Sequence, residues 1–231
     1  MPSRTVSPPA GQPRIYTRRG DDGTTGLLYG GRAAKSSPRI ELNGAVDEAQ
    51  AALGLARAET EHGSPLDELL VGIERDLYVL MAEVATLPDN QAKLVAGATL
   101  VTGEMVARLE AEIDRLLALF DMPSAFVIPG QNRVAAALDL ARTVVRRAER
   151  LVSAVGDLDG DDAERSQVGP YLNRLSDLVW AMARWQEGDE HLAARGQRPA
   201  SDAGATGGDA PPAGDGTATA GSTTETAEED G

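Results

Sequence analysis

The segment ARTVVRRAER, Ala141–Arg150, combines four arginines and one carboxylate in a stretch that also has the pattern of a packed helix. At 3.6 residues per turn, its charged side chains share one strip of the helix or lie beside it. These residues are Arg142, Arg146, Arg147, Glu149 and Arg150. Cations this close repel one another unless anions lie among them, and the planar guanidinium group suits a carboxylate or a phosphate chain. The segment therefore predicts one wall of a polyphosphate or carboxylate site. The alternative is a solvated face with salt bridges.

A glycine-rich loop, IYTRRGDDGTTGLLYGGR, covers residues 15–32. Its glycines and threonines can turn several backbone N–H groups towards one point, and such a nest binds phosphate. No Gly-Lys-Ser/Thr follows, so the loop is not a Walker A motif, and its spacing is not that of a dinucleotide fingerprint. Lys35 could add a positive charge, although an exposed lysine is usually only solvated. The loop alone is a weak indication of a phosphate site.

Four other residues each allow a structural and a functional interpretation. Asp47 and Glu48 lie early in a predicted helix, where the dipole favours acids, but either could pair with an arginine of the ARTVVRRAER helix. Asn173 could donate to a ligand oxygen or be a structural amide. Phe126 lies in a loop and could fill the nearby core or contact a ligand.

The composition favours a helical protein with little capacity for metal or thiol chemistry. Hydrophobic residues make up 42% of the 231 residues and aromatic residues only 3%, so the core is built from Ala, Leu, Val and Ile. Such a core favours closely packed helices over a sheet. There is no cysteine, and two histidines do not make a histidine-rich metal centre. No apolar run is long enough to span a membrane, and the N-terminus lacks an apolar signal segment, which indicates the cytoplasm.

The net charge of −14 argues against nucleic acid as a partner. The segment from Glu190 to Gly231 contains eight acids and two arginines and so contributes −6 of it. An acidic domain can still bind a polyanion where its arginines are concentrated, as they are in the ARTVVRRAER segment.

Apolar periodicity predicts an all-α fold, a five-helix bundle in one domain. Ser64 is the predicted N-cap of the second helix, with Pro65 at its first position. The five expected helices run from about Ile40 to Glu61, Pro65 to Thr86, Thr102 to Leu119, Val134 to Val155 and Glu164 to Gln186. We expect residues 1–13 to be a disordered lead, residues 14–187 to form the helical domain, and residues 188–231 to be a disordered acidic tail.

Taken together, these segments resemble the PduO-type ATP:cob(I)alamin (corrinoid) adenosyltransferase family. The family's marks are a TRxGDxGxT loop, a Gly-x-x-Asp-Glu segment, an FxxPGG-like loop, an ARxxxRRAER helix and a YLNRLSD helix. In this chain they are Thr17–Thr25, Gly44–Glu48, Phe126–Gln131, Ala141–Arg150 and Tyr171–Asp177. The resemblance spans residues 14 to 187, and its two helical motifs are specific.

The resemblance implies a cobalamin adenosyltransferase-like bundle that forms a homotrimer with active sites between subunits. It also implies the reaction, in which cobalt(I) of a reduced corrinoid attacks the 5′ carbon of ATP, adenosylcobalamin forms and triphosphate leaves. ATP with Mg²⁺ and cobalamin are then the small-molecule ligands. A reductase or an adenosylcobalamin-dependent client enzyme becomes a possible protein partner.

Site residues follow from the resemblance position by position. Arg146, Arg142 and Asp47 are the catalytic candidates, with Asp47 pairing with Arg142 across the subunit interface. Phe126 lies against the corrin and keeps a lower ligand off cobalt. The residues implied in ATP binding are Thr17, Arg18, Arg19, Gly20, Thr25, Gly26, Lys35, Arg146, Arg147, Glu149, Arg150 and Asn173.

The chain departs from the family pattern in two segments. Ala45 stands where the family usually has threonine, and Ala49-Gln50 replaces Leu-Asn. Gln131, Asn132 and Arg133 replace small residues on the corrin side. These departures motivate a second hypothesis, a catalytically weak paralogue that binds ATP or adenosylcobalamin as a carrier or regulator. A third is a helical scaffold whose arginine helix binds an acidic partner.

Overall fold

The computed structural model describes residues 16–156, 158, 166–190 and 192–194. Five α-helices contain most of them, and a short hairpin, a second pair of short strands and three 3-10 helices join or flank these helices. The helices are α1 (Pro38–Ala58), α2 (Pro65–Val84), α3 (Gly103–Leu117), α4 (Arg133–Leu151) and α5 (Val168–Glu187). The strands are β1 (Thr24–Gly26), β2 (Arg32–Ala34), β3 (Val127–Ile128) and β4 (Leu192–Ala193). The predicted all-α five-helix bundle is confirmed.

Side-chain caps fix where three of the helices begin. Ser64 accepts a hydrogen bond from the backbone N–H of Asp67, and Pro65 follows it, as predicted. Thr102 caps α3 and Asn132 caps α4 in the same way. Because a cap satisfies N–H groups that lack a partner inside the helix, it sets the first turn of each helix.

Ion pairs between helices give the directions of the bundle. Arg133 at the start of α4 lies 3.9 Å from Glu59, just past the end of α1, and Arg147 near the end of α4 pairs with Glu48 in the middle of α1. The helices α1 and α4 are therefore antiparallel. Asn173 near the start of α5 bonds to Glu149 near the end of α4, and Arg184 near the end of α5 bonds to Asp139 near the start of α4, so these two helices are antiparallel as well.

The core lies between these helices and is aliphatic, as the composition predicted. Leu42, Leu53, Leu77, Leu138 and Leu175 are all fully buried. Tyr171 is the one fully buried aromatic side chain among the described residues, and its hydroxyl donates to Asp76 at 3.0 Å. Within the described part of the chain, no helix is both long and apolar enough to cross a membrane.

Both ends of the expected helical domain differ from the sequence prediction. The segment 15–32 was expected to be a loop, but it contains β1, and β1 pairs with β2 in an antiparallel hairpin. Residues 188–190 form a 3-10 turn and β4 pairs with β3, although we expected a disordered tail from Gly188. The backbone groups of β3 supply hydrogen-bond partners for β4, and the composition of the tail does not reveal that pairing. The lead, the remainder of the tail and the expected start of α5 at Glu164 lie outside the described residues.

Candidate active site

The arginine helix α4 presents a charged face to solvent and an apolar face to the core, as predicted. Val144, Val145 and Ala148 are buried, while Arg146 and Arg150 are exposed. The alternation follows from the helical period, which places residues three and four apart on the same side.

The arginines of this face differ in their partners. Arg147 pairs with Glu48 of α1, so one of the two acids does contact an arginine of α4. Asp47 and Glu48 lie in the middle of α1, so their helix-dipole interpretation is wrong. Arg150 donates only to the backbone oxygen of Arg146, at 2.9 Å. Among the described residues, neither Arg146 nor Arg150 forms an ion pair. Two positive charges are therefore available to an anionic ligand.

Asn173 and Glu149 form a polar pair between α5 and α4. The Asn173 amide donates to the Glu149 carboxylate at 2.7 Å, and both side chains are half-buried. They also line a cavity of about 370 Å³ with Ser153, Gly169 and Arg174. The structural and ligand-facing interpretations of Asn173 are thus compatible, because the bond fixes an amide at a cavity wall.

The glycine-rich loop is organised by Arg32, a residue that the sequence analysis did not single out. Its guanidinium donates to the backbone oxygen of Arg19 at 2.6 Å and to the hydroxyl of Thr24 at 2.9 Å. The backbone and hydroxyl of Thr24 in turn donate to Asp22, and these bonds lower the pKa of the Asp22 carboxyl. A cation therefore sits at the base of the hairpin and holds its two strands in register.

Lys35 lies over Gly20, which the resemblance also places at the phosphates. A Cβ added at Gly20 would lie 3.3 Å from the Lys35 ammonium nitrogen and 3.0 Å from the Thr24 backbone oxygen. A larger residue at Gly20 would crowd both atoms. Arg18 has a backbone φ of +61°, a conformation that is uncommon for a residue with a side chain and that marks the turn before Gly20.

The loop and the exposed arginines lie at the same end of the bundle. The loop leads directly into the start of α1, and the end of α4 lies beside that start because the two helices are antiparallel. Within the described residues, no hydrogen bond or ion pair joins residues 16–35 to α4. In one chain the two halves of the expected nucleotide site are neighbours without direct polar contact.

Phe126 lies at the opposite end of the bundle and does not fill the core. Its side chain is 90% exposed, so the core-filling interpretation is wrong. The 19-residue helix α4, about 28 Å long, follows it and ends on the side of the bundle where the loop lies. Phe126 lines an open cavity of about 790 Å³ together with Arg142, Trp180 and Arg184.

Arg142 and Asp47 do not contact each other within one chain. Arg142 lies 3.9 Å from Asp139, one turn earlier on α4, and Asp47 is exposed on α1. The remaining expected nucleotide residues, Thr17, Arg18, Arg19, Thr25 and Gly26, all belong to the loop hairpin and are exposed or half-buried. No group of three or more acids or histidines that could hold a metal ion occurs among the described residues.

Two of the family departures have a structural explanation. Asn132 is the N-cap of α4, and its amide also donates to the backbone oxygen of Gln186 at 2.9 Å. Ala45 is 6% exposed and packs in the core. The asparagine therefore fixes the segment after Phe126 to the end of α5, a role that a small residue cannot take.

Comparisons with known proteins identify the family. The model of the family described as cobalamin adenosyltransferase matches residues 15–186. The corrinoid adenosyltransferase of Citrobacter freundii is 40% identical over 176 residues, which cover 75% of this chain and 95% of that protein. The PduO corrinoid adenosyltransferase of Salmonella typhimurium is 38% identical over 183 residues, which cover 78% of this chain. The chain spans about half the length of that relative and of a second PduO relative, 51% in each case.

The fold has solved counterparts. A phenylalanine-to-alanine variant of the PduO-type ATP:corrinoid adenosyltransferase from Lactobacillus reuteri, complexed with cobalamin and ATP, superposes with a TM-score of 0.65 at 28% identity. The match covers 75% of this chain and 93% of that one. Sequence, fold and the order of the motifs agree, and the chain belongs to the cobalamin adenosyltransferase family.

Proposed function

We propose that this chain transfers the 5′-deoxyadenosyl group of ATP to the cobalt of a reduced corrinoid. The cobalt(I) electron pair attacks the 5′ carbon, a cobalt–carbon bond forms, and the carbon–oxygen bond to the triphosphate breaks. Adenosylcobalamin and triphosphate are the products, and the leaving group keeps the bonding electrons. Cobalt(I) is a strong nucleophile, so the protein needs no general base.

The observation that carries this proposal is the pair of cations on α4 that have no carboxylate partner among the described residues. Charge builds up on the leaving triphosphate as the carbon–oxygen bond breaks, and fixed cations and N–H groups stabilise that charge without reorganising. Arg146 and Arg150 supply guanidinium groups, and Lys35 with the loop amides around Gly20 supplies a second set at the same end of the bundle.

We also propose that the functional unit is a homotrimer with its sites between subunits. Phe126 lies near the start of α4 and the loop lies on the side of its end, and α4 is about 28 Å long, whereas cobalt must reach the 5′ carbon of ATP. A neighbouring subunit can bring its own loop to the α4 face of the first. Asp47 of one subunit then pairs with Arg142 of the next. Phe126, exposed in the single chain, packs against the corrin and excludes a lower ligand from cobalt.

Magnesium and protein partners complete the proposal. Mg²⁺ binds phosphate oxygens and keeps several waters, so it arrives with ATP and needs few protein ligands. A reductase must supply cobalt(I), and an enzyme that uses adenosylcobalamin is the natural recipient of the product. Because ATP is the co-substrate, we expect the reaction to take place in the cytoplasm.

The experiment that tests this function is an anaerobic assay. The protein is mixed with magnesium-ATP and chemically reduced cobalamin, and the visible spectrum is followed for conversion of cobalt(I) to the adenosyl form. Multiple turnovers are expected, together with one triphosphate per adenosylcobalamin. Tight ATP binding without conversion would instead favour the carrier or regulator. In that case Ala45→Thr with Gln131→Gly should restore turnover, since these changes reverse the departures that motivate it.

A further inference from the structure

A buried ionic cluster joins α4 to α5 at the wall of the Phe126 cavity. Arg184 is 3% exposed and Asp139 is 5% exposed, and the Arg184 guanidinium donates to Asp139 Oδ2 at 2.6 Å. Arg184 also donates to Glu187, one turn later on α5, at 3.1 Å. The Arg184 guanidinium also lies over the Trp180 ring, 5.8 Å from its centre, and this cation–π contact further restrains it. The position of Arg184 is thus fixed from several sides.

The two oxygens of Asp139 serve different arginines. Oδ2 accepts from buried Arg184, whereas Oδ1 lies 3.9 Å from Nε of Arg142. At that distance the second contact is an ion pair without a hydrogen bond, and Arg142 Nε has no hydrogen-bond partner among the described residues. Arg142 is therefore held electrostatically on one edge, while its N–H groups remain available on the cavity side.

We propose that Asp139, held by Arg184, is the positioning residue for Arg142. The inference rests on the proposed function, in which Arg142 acts at the site between subunits. Burial matters here because water screens a buried pair poorly, so the Asp139 carboxylate has one fixed orientation. A fixed carboxylate limits the Arg142 side chain to rotamers that face the cavity. Without it, Arg142 samples other rotamers and its contact with the partner's Asp47 or the substrate is lost for part of the time.

The test is Asp139→Asn, which keeps the size of the side chain and removes its charge. We expect kcat for adenosyl transfer to fall by about 10- to 100-fold, because small displacements of a reacting group have effects of that size. KM for ATP should change little, since the loop and Arg146 are untouched. The matched control is Asp67→Asn, which removes another buried carboxylate that accepts from an arginine, Arg57 Nε at 2.7 Å, far from the cavity. It should lower the melting temperature without lowering kcat.

A double-mutant cycle separates positioning from a general loss of stability. If Asp139 acts through Arg142, Asp139→Asn should cost no further activity in an Arg142→Ala background, although the melting temperature should still fall. Should Asp139→Asn alone fail to fold, Asp139→Asn with Arg184→Gln gives a neutral hydrogen-bonding pair in its place, and kcat should fall in the same way. A wild-type kcat in either variant, or equal losses in both backgrounds, overturns the inference.

A second measurement does not depend on turnover. The Nε–H signal of Arg142 in a nitrogen-15 spectrum, assigned by its absence in Arg142→Lys, should be sharp and shifted in the wild type. In Asp139→Asn it should move to the position of a freely rotating arginine. An unchanged signal overturns the inference even if the wild type is inactive, whereas an inactive wild type with the expected shift overturns only the proposed function.

Discussion

Arg146 is the residue on which the proposed chemistry depends most. It is exposed on α4 and, within the described residues, has no carboxylate partner, so its removal leaves no buried charge unpaired. We expect Arg146→Ala to lower kcat by about 100- to 1,000-fold, the loss typical of removing one donor to a developing anion. Helical content by circular dichroism should be unchanged. Arg75→Ala, which removes an exposed arginine of α2, is the control. Near-wild-type turnover of Arg146→Ala would exclude the assigned role.

Glu83 gives the stability of the bundle a pH dependence. The side chain is 4% exposed, accepts from the Val101 N–H at 2.7 Å and from the Ser166 hydroxyl at 2.6 Å, and burial raises the pKa of its carboxyl above the usual 4.5. A raised pKa means that the folded state binds the proton more tightly than the unfolded state. The stabilisation by neutral Glu83 is therefore present at low pH and is lost as the pH rises through the raised value.

Glu83→Gln should remove this part of the pH dependence. The glutamine keeps an acceptor for Val101, and the Ser166 hydroxyl can rotate to accept from the amide. The melting temperature of the variant minus that of the wild type should increase as the pH rises from 4.5 and then level off. Thermal unfolding monitored at several pH values measures this difference. Burial also raises the pKa of Glu74, but both proteins contain Glu74, so its contribution cancels in the difference. A difference that does not change with pH would show that Glu83 is charged throughout.

The sequence predicted the residues of the site better than their contacts. The period of α4 predicted which arginines are exposed, and a pairing between an acid of α1 and an arginine of α4 was one of two interpretations. Arg32 and Arg184 were missed, because nothing in their local pattern shows what they reach. Their partners are 13 and 45 residues away in the sequence, so only the tertiary fold brings them together.

At the scale of elements, the helices were predictable because their signals are local. A cap such as Ser64 and the 3.6-residue period act within one turn of the chain. The strands were not predictable in this way. The pairs β1–β2 and β3–β4 contain two or three residues each, too few for an alternating pattern, and β4 is 65 residues from its partner β3.

The β3–β4 pair supports the loop that carries Phe126. The backbone N–H of Ala194 donates to the backbone oxygen of Phe126 at 2.6 Å. Ala194→Pro removes this donor without removing a side-chain contact of any size. We expect weaker corrinoid binding, measured by titration with cobalamin in the presence of ATP, and an unchanged affinity for ATP alone. Ala194→Val, which keeps the N–H, is the control. Equal corrinoid affinity in the two variants would show that the segment does not position Phe126.

At the scale of the whole molecule, the single chain leaves apolar side chains exposed on the face formed by α1 and α4. Leu55 is 53% exposed and Leu140 is 52% exposed. If this face is the subunit interface, Leu140→Asp should give a monomer that unfolds at a lower temperature and turns over poorly. Light scattering after size exclusion measures the assembly. Tyr78→Asp changes a side chain of α2 that is 65% exposed and should leave the assembly intact. If Leu140→Asp still forms the oligomer, Leu140 does not lie in the subunit interface.

The proposed position of the active site between subunits can be tested by combining two inactive variants. Lys35 belongs to the loop, and Arg146 belongs to α4, and in the proposed trimer each site takes one from each of two chains. Lys35→Ala and Arg146→Ala should each be inactive alone. When the two are co-expressed with different tags and the mixed oligomers are isolated, some interfaces contain an intact loop opposite an intact α4.

In each mixed trimer, a closed ring, one of the three interfaces combines an intact loop with an intact α4, so about one third of wild-type activity should return. Mixing the two purified variants without subunit exchange is the control, and it should remain inactive. If each site were built within one chain, every chain in the mixture would still lack one of the two cations and no activity would return. The recovered activity therefore reports which chain supplies each cation, independently of how the oligomer is held together.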